Sequence, residues 1–312
     1  MKMGLEKIGL ELATSTHKGL SQKQRESMFF LIIVSPWILG FLLFTLFPIV
    51  SSLLASFTSW DIITPPEFIG VGNYIQMIKD SQVWQSLMNT LYYTAIGVPA
   101  TIIFGLFIAI LVSQRIKGIY MFRSFYYLPC VLSGVATAFV WKWLLHPMFG
   151  PVNYYLFLLG VDGPGWLADP LWSKRSIVLY RMWFIGGTMM IFLAGLNAIP
   201  REYYEAAEID GASKKQCFWR ITLPLLTPSI FFCLITGIIA SLQIFGEVYI
   251  MMGSSADEYT RPFLHYLWMQ AFTFQRMGYA SALTWVLFII IFVVTLIQLI
   301  MQKRWVYYEV DK

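Results

Sequence analysis

Six long apolar runs separated by polar segments constrain the fold of this chain more than any other feature of its sequence. A helix needs about 20 apolar residues to cross the ~30 Å hydrocarbon core of a bilayer, and each run has about that length. Because an unpaired backbone group is costly in lipid, we expect every run to be helical. The predicted fold class is therefore an all-α integral membrane protein with six transmembrane helices, at residues 28–57, 87–112, 125–145, 177–198, 227–252 and 280–302.

The composition agrees with a membrane protein, because 58% of the 312 residues are hydrophobic and only 12% are charged. An average soluble domain carries about 25% charged residues. The net charge of +5 is small, and the basic residues are scattered between apolar runs. This distribution argues against a nucleic-acid partner. The first 27 residues are charged and contain no apolar core, so we expect no cleavable signal peptide.

The lysines and arginines orient the spans, because cytoplasmic loops are enriched in these residues. With both termini inside, fifteen of the 22 basic residues lie on the inner side and seven on the outer side or at span ends. Residues 146–174 and 253–278, which contain many turn-forming residues, are then outer loops. We predict a cytoplasmic N-terminal tail at 1–27, a membrane domain at 28–302 and a cytoplasmic C-terminal tail at 303–312.

The long polar segment between the fourth and fifth runs predicts two short helices with a corner between them. Pro200 suits the first helical turn, and Gly211 suits its end because a left-handed residue is least strained without a Cβ. Ser213 followed by Gln216 is a capping box that opens the second helix. Pro224 marks the next boundary, where another apolar run begins.

Ala206 and Ala207 leave one face of the first short helix almost flat, so another surface can approach its backbone closely. This pattern favours docking of a partner. An ordinary helix lying at the membrane surface is the alternative.

The spacing in this segment, residues 200–224, resembles without a gap the EAA signature of binding-protein-dependent ABC importer permeases. The matching positions are Glu205, Ala206, Ala207, Gly211, Ile221, Leu223 and Pro224. In that family the segment is a coupling helix that docks into a groove on a cytoplasmic ATPase. The resemblance implies a type I, maltose-permease-like importer fold, with ATPase docking through Tyr203, Glu205, Ala206, Ala207, Gly211, Leu223 and Pro224.

Other runs resemble the carbohydrate branch of these permeases, at 122–129, 141–144 and 277–282, and the likeness extends to Tyr308. This resemblance implies a sugar importer, for oligosaccharides by preference, in a bacterial inner membrane. A non-sugar solute such as a glycerol-phosphate ester is the alternative. The expected partners are a second related permease that forms a heterodimer, two ATPase subunits and an extracytoplasmic sugar-binding protein.

The chain carries no recognisable machinery for chemistry of its own. The sequence has no Gly-x-x-x-x-Gly-Lys-Ser/Thr loop for phosphate, and His17, His146 and His265 lack partners at zinc-ligand spacing. We therefore expect a transporter subunit and no enzyme, without a metal or cofactor, with ATP and Mg bound by the ATPase. A secondary transporter would show inverted repeats or paired charges deep in its spans, and we find neither in the sequence.

Polar residues inside the spans are candidates for the substrate path, because exposing them to lipid is costly. Gln243 and Glu247 are four residues apart in the predicted fifth span and would share a helix face. Hydration of Glu247 at the outer interface is the alternative. Trp141, Trp183 and Trp285 can stack on sugar rings, with packing or an interfacial belt as the alternative.

Overall fold

The structure, a computed structural model, describes residues 22–114, 117–253 and 258–307. Most of the predicted N-terminal tail, and Tyr308 with the residues after it, lie outside the described part of the chain. The described residues form helices and one short antiparallel hairpin, in which β1 (Thr58–Ser59) pairs with β2 (Glu67–Phe68). The chain divides into two compact units, at residues 1–54 and 55–312.

The first unit holds nearly all of the first predicted span. Its helices are α1 (Gln22–Phe41), a π-helical turn (Leu42–Leu46) and α2 (Phe47–Ala55). They follow one another directly, so residues 26–55 make one candidate span. The large apolar side chains of this span are mostly exposed, as expected for a helix that faces lipid.

Two helices of the second unit are continuous and apolar enough to cross a membrane, namely α4 (Ser81–Ser113) and α16 (Met277–Met301). Before α4 lies the short helix α3 (Gly72–Lys79). The Asp80 carboxylate starts α4 by accepting a hydrogen bond from the backbone N–H of Gln82 (3.0 Å). Such a cap satisfies a donor at the helix end that has no partner within the helix.

Three pairs of helices are bent, two of them inside predicted spans and the third just before the predicted fifth span. The pairs are α5 (Ile119–Val131) with α6 (Gly134–Leu144), α8 (Pro170–Met182) with α9 (Gly186–Ala198), and the Lys214–Leu225 helix with α13 (Thr227–Leu242). Their bends are 99°, 47° and 58°. Counted as one span each, they bring the candidate spans among the described residues to six, as predicted.

The predicted third span, residues 125–145, is therefore interrupted at Leu132 and Ser133. The break follows Pro129 closely, since the N–H of Leu132 bonds to the Pro129 carbonyl and Leu132 is already extended (ψ 151°). After this pair, α7 (Pro151–Leu158) lies in the predicted outer loop.

The predicted fifth span, residues 227–252, is interrupted near its outer end. Helix α13 ends at Leu242, and α14 (Gly246–Met252) begins only after Phe245, whose backbone (φ −151°, ψ −62°) is neither helix nor strand. Gln243 follows the last residue of α13, whereas Glu247 lies in the first turn of α14. The prediction that these two side chains share one helix face was wrong.

The predicted outer loop at 253–278 contains helical structure. Helix α15 (Phe263–Trp268) is followed by a π-helical turn (Met269–Thr273). The N–H of Phe263 donates to the Thr90 hydroxyl of α4 (2.8 Å), and Phe263 is buried. This segment therefore packs on the membrane helices instead of forming an open loop.

The buried core of the second unit surrounds α4. Between α4 and α9, Ala109, Met189 and Phe192 are fully buried. A Cβ at Gly105 would lie 2.8 Å from Thr188 Cγ2, so a glycine allows these two helices to approach closely. Helix α4 also contacts α8, α13 and α15.

Candidate functional site

The first candidate site is the polar segment predicted to be a coupling helix. Helix α10 (Arg201–Ile209) begins one residue after Pro200, which caps the helix from outside (ψ 137°) and is not part of its first turn. Gly211 ends the turn in the left-handed region (φ +77°), as the sequence predicted. The N–H of Gly211 bonds to the Glu208 carbonyl and that of Ala212 to the Ala207 carbonyl.

The second short helix opens with the predicted capping box. The backbone N–H of Ser213 donates to Gln216 Oε1 (2.7 Å), and that of Gln216 donates to Ser213 Oγ (3.4 Å). The helix consists of α11 (Lys214–Cys217), a π-helical turn (Phe218–Thr222) and α12 (Leu223–Leu225). Because it continues through Pro224, the boundary predicted at that proline lies instead at Leu226.

One hydrogen bond joins the two short helices, between Tyr204 Oη and Thr222 Oγ1 (2.9 Å). This bond holds the face of α10 that carries Tyr204 against the Lys214–Leu225 helix. Tyr203, Glu205 and Ala206 are exposed on α10, and Ala207 is half-buried. The residues predicted to bind the ATPase therefore include a solvent-accessible group, and docking itself stays a prediction.

A small pocket of about 300 Å³ lies beside this segment. Its walls include Tyr203 and Pro224 from the predicted docking residues, together with Arg220 and the C-terminal Tyr307. The backbone N–H of Tyr307 donates to the Thr227 hydroxyl (2.9 Å). The end of the described chain thus contacts the start of α13, a contact that sequence reasoning missed.

The second candidate site is a cavity of about 680 Å³ in the second unit. Its walls come from six of the described helices of the unit, namely α4, α6, α8, α9, α13 and α14. Small and hydroxylated residues are frequent in these walls: Gly97, Thr101, Gly134, Thr188, Thr236, Gly237 and Gly246. The cavity therefore offers apolar surface with a few polar groups, which is typical of small-molecule sites.

An ion pair crosses this cavity wall from α8 to α14. Arg181 Nε lies 3.7 Å from Glu247 Oε1, and the two side chains are 21% and 23% exposed. Arg181 Nη1 also donates to Ser241 Oγ (3.1 Å), which in turn accepts from Thr94 Oγ1 (3.2 Å). Arg181 lies in the last turn of its helix and Glu247 in the first turn of its own, positions that the helix dipoles favour for these charges.

Among the predicted substrate-path residues, Glu247 lines the cavity, whereas Gln243 is exposed outside it. The rings of Trp141 and Trp183 pack edge to face (5.9 Å), and Trp285 packs on Phe288 (5.4 Å). None of these three tryptophans is among the described residues that line the cavity.

Sequence reasoning missed Arg181, which it counted among the outer basic residues. The sequence alone could have pointed to Arg181, because an arginine inside an apolar run is costly in free energy unless it pairs with an acid or faces water.

Residues 69–307 match the family model for the binding-protein-dependent transport system inner membrane component. The chain belongs to this family. Its relatives include the probable ABC transporter permease protein YesP of Bacillus subtilis, with 40% identity over 88% of this chain and 91% of that protein. Another is the sulfoquinovosyl glycerol transport system permease protein SmoG of Agrobacterium fabrum, with 34% identity over 86% of this chain and 88% of that protein.

The fold is also found in a solved structure, that of a bacterial alginate ABC transporter in complex with alginate pentasaccharide-bound periplasmic protein. One chain of that complex matches with a TM-score of 0.79 and 23% identity, over 91% of this chain and 97% of that chain. The predicted fold class, an all-α membrane protein of the type I importer kind, is confirmed. Membership of the family likewise confirms a transport component of the inner membrane.

Proposed function

We propose that this chain is the permease subunit of an ATP-driven, binding-protein-dependent importer for sugars, in particular oligosaccharides. The family match over residues 69–307 supports the transport class and the need for a binding protein. Two observations support a sugar. SmoG is named for a sugar glycoside, and the chain resembles the carbohydrate branch at 122–129, 141–144 and 277–282.

In this proposal the chain provides half of the translocation path and a second, related permease provides the other half. Two ATPase subunits bind ATP and Mg on the cytoplasmic side, where both termini of this chain also lie. The exposed face of α10 is the docking surface, with Glu205 available to pair with a basic residue of the ATPase groove.

The contacts around α10 suggest how ATP hydrolysis reaches the cavity. Tyr204 and Thr222 join α10 to the Lys214–Leu225 helix, which meets α13 at the buried residue Leu226. Helix α13 contributes Thr236 and Gly237 to the cavity wall. A displacement of α10 by the ATPase is therefore transmitted to the cavity through one hydrogen bond and one bend.

A reconstituted transporter tests this proposal. The tagged chain is purified from its native membrane, its partner subunits are identified by mass spectrometry, and the complex is placed in liposomes with the binding protein. We expect sugar uptake that requires both ATP and the binding protein, with glycerol phosphate as a weak competitor. Uptake that follows an ion gradient without ATP would contradict the proposal.

A matched pair of variants tests the docking surface. Glu205→Ala is expected to lower both the recovery of the ATPase and the uptake of sugar. Glu202→Ala, one turn earlier on the same exposed helix, is the control and leaves both near the wild-type level. Equal recovery of the ATPase with both variants would remove Glu205 from the docking surface.

A further inference from the structure

We propose that Arg181 and Glu247 together bind a hydroxyl group of an uncharged sugar ring in the cavity. This inference rests on the proposed function and narrows its substrate to neutral saccharides. It assigns to Arg181 a role in specificity, and it gives Glu247 a role beyond that of a polar residue on the path.

The separation of the two charged groups is the first observation. At 3.7 Å, Arg181 Nε and Glu247 Oε1 attract one another but are too far apart for a hydrogen bond. No hydrogen bond reaches either Glu247 oxygen from the described residues. The Glu247 oxygens can therefore accept hydrogen bonds from a solute that binds in the cavity and displaces water.

The donors of Arg181 are only partly used. A guanidinium carries five N–H donors. The described contacts involve Nε, directed at Glu247, and Nη1, bonded to Ser241. Because Arg181 contacts both Ser241 and Glu247, its guanidinium is positioned without the ligand.

The paired donor and acceptor select the chemistry of the ligand. A hydroxyl group can accept from Arg181 and donate to Glu247 at the same time. A carboxylate or sulfonate only accepts, so it would leave Glu247 without a donor and place two negative charges together in an apolar cavity. Arg181 and Glu247 also cancel in charge, so this wall attracts neither anions nor cations strongly.

An aromatic surface lies beside the pair. Tyr180 and Phe184 line the same cavity, with ring centroids 5.2 Å apart. Tyr180 is only 4% exposed, because its hydroxyl donates to the Gly134 carbonyl (3.1 Å) and its ring also packs on Trp141 (6.0 Å). Phe184 is half-buried and offers the more accessible ring for contact with the C–H face of a sugar. The structure thus provides both elements of sugar recognition, a polar pair for hydroxyls and aromatic rings for C–H groups.

Saturation-transfer NMR on the assembled transporter in lipid nanodiscs, without the binding protein, measures this interaction directly. The probe is a mixture of α-1,4-linked galactose oligomers and α-1,4-linked oligogalacturonides of matched length, which differ only by a CH₂OH or a carboxylate at C6. We expect wild-type transporter to saturate the neutral sugar in preference to the acidic one. Arg181→Gln should weaken binding of both sugars.

Glu247→Gln is the decisive variant. It removes the negative charge and keeps the side-chain size, so binding of the neutral sugar should fall about tenfold while the acidic sugar gains relative to it. A pair that only clamped the helices would lower both signals equally. Lys174→Gln is the matched control, because Lys174 lies on α8 beside the Tyr92 ring (5.4 Å) and outside the cavity lining.

Three results would overturn the inference: equal saturation of both sugars by the wild type, no saturation of either, or an equal loss of both with Glu247→Gln. None of these contradicts the proposed function if the intact complex still imports sugar with ATP. Failure of that uptake would refute the proposed function itself, and the two failures are therefore distinguishable.

Discussion

Gly186 and Gly187 are adjacent in the first turn of α9, yet a methyl group should have opposite effects at the two positions. A Cβ at Gly186 would lie 2.3 Å from the Tyr126 carbonyl oxygen and 2.8 Å from Tyr127 Cα, both backbone atoms of α5. A Cβ at Gly187 meets nothing within 4 Å. Gly186→Ala therefore forces α5 and α9 apart, whereas Gly187→Ala only favours the helix.

The size of the difference follows from these distances. Ordinary van der Waals contact begins at 3.4 Å, so the two helices must separate by about 1.1 Å (3.4 minus 2.3) to accept the methyl group of Gly186→Ala. Overpacking of this kind costs about 1–3 kcal/mol, while replacing glycine by alanine in a helix gains up to about 1 kcal/mol. We expect Gly186→Ala to be less stable than Gly187→Ala by about 2 kcal/mol.

Thermal unfolding followed with a thiol-reactive dye measures this difference. Cys233 is buried and reacts on unfolding, whereas Cys130 is exposed and Cys217 is half-buried, so both are replaced by serine in all variants. The unfolding temperature should fall with Gly186→Ala and stay equal or rise with Gly187→Ala. Equal temperatures for the two variants would show that α5 and α9 do not approach as closely as the structure places them.

Three further changes have definite expected results. Gly211→Val should reduce recovery of the ATPase, because a β-branched residue is strained at φ +77°, while Gly211→Asn should be tolerated there. Burial lowers the pKa of His265 to about 4 from its ordinary 6.5, so the folded protein resists protonation and loses stability as pH falls from about 6.5 to 4. The loss is on the order of 3 kcal/mol, and His265→Phe should remove it from the pH dependence of the unfolding temperature. Asp80→Asn should cost about 1–3 kcal/mol in a thermal unfolding assay, because the carboxylate accepts hydrogen bonds from the hydroxyls of Tyr266 and Tyr279.

Gly211→Asn is the control for Gly211→Val, and the predictions for Asp80 and His265 have controls of their own. Asp162→Asn, at an exposed position between α7 and α8, is expected to leave the unfolding temperature unchanged. For His265, both ring nitrogens lack a hydrogen-bond partner among the described residues, so no lost bond complicates the comparison at neutral pH. An identical pH profile for wild type and His265→Phe would exclude this histidine as the cause of acid sensitivity.

Local signals in the sequence were sufficient to predict the corner between α10 and the second short helix. Gly211 and the capping box of Ser213 with Gln216 act within a few residues, so their geometry follows from neighbouring side chains. The number of candidate spans was predictable for a similar reason, since it depends on the length of each apolar run alone.

The breaks inside the helices were not predictable in this way. Phe245 is followed by Gly246, and the polar residues Gln243 and Glu247 lie two positions away on either side. A single glycine in such a run is also found inside continuous helices, so it does not predict an interruption by itself. The pairing of Arg181 with Glu247 joins residues 66 positions apart (247 minus 181), so it depends on how α8 and α14 pack. Tertiary packing determines both the helix break and the ion pair. The sequence pattern indicates only that Arg181 and Glu247, as charged residues inside apolar runs, must avoid contact with lipid.

Helix α4 is unbroken over its 33 residues, while three of the other candidate spans are bent. It contributes Gly97, Val98, Thr101 and Ile102 to the cavity, but neither member of the ion pair. The continuous helix in the cavity wall, α4, is thus separate from the helices that carry the proposed sugar-binding pair, α8 and α14. A substrate range can therefore be re-engineered on α8 and α14 without weakening the helix around which the rest of the unit is assembled.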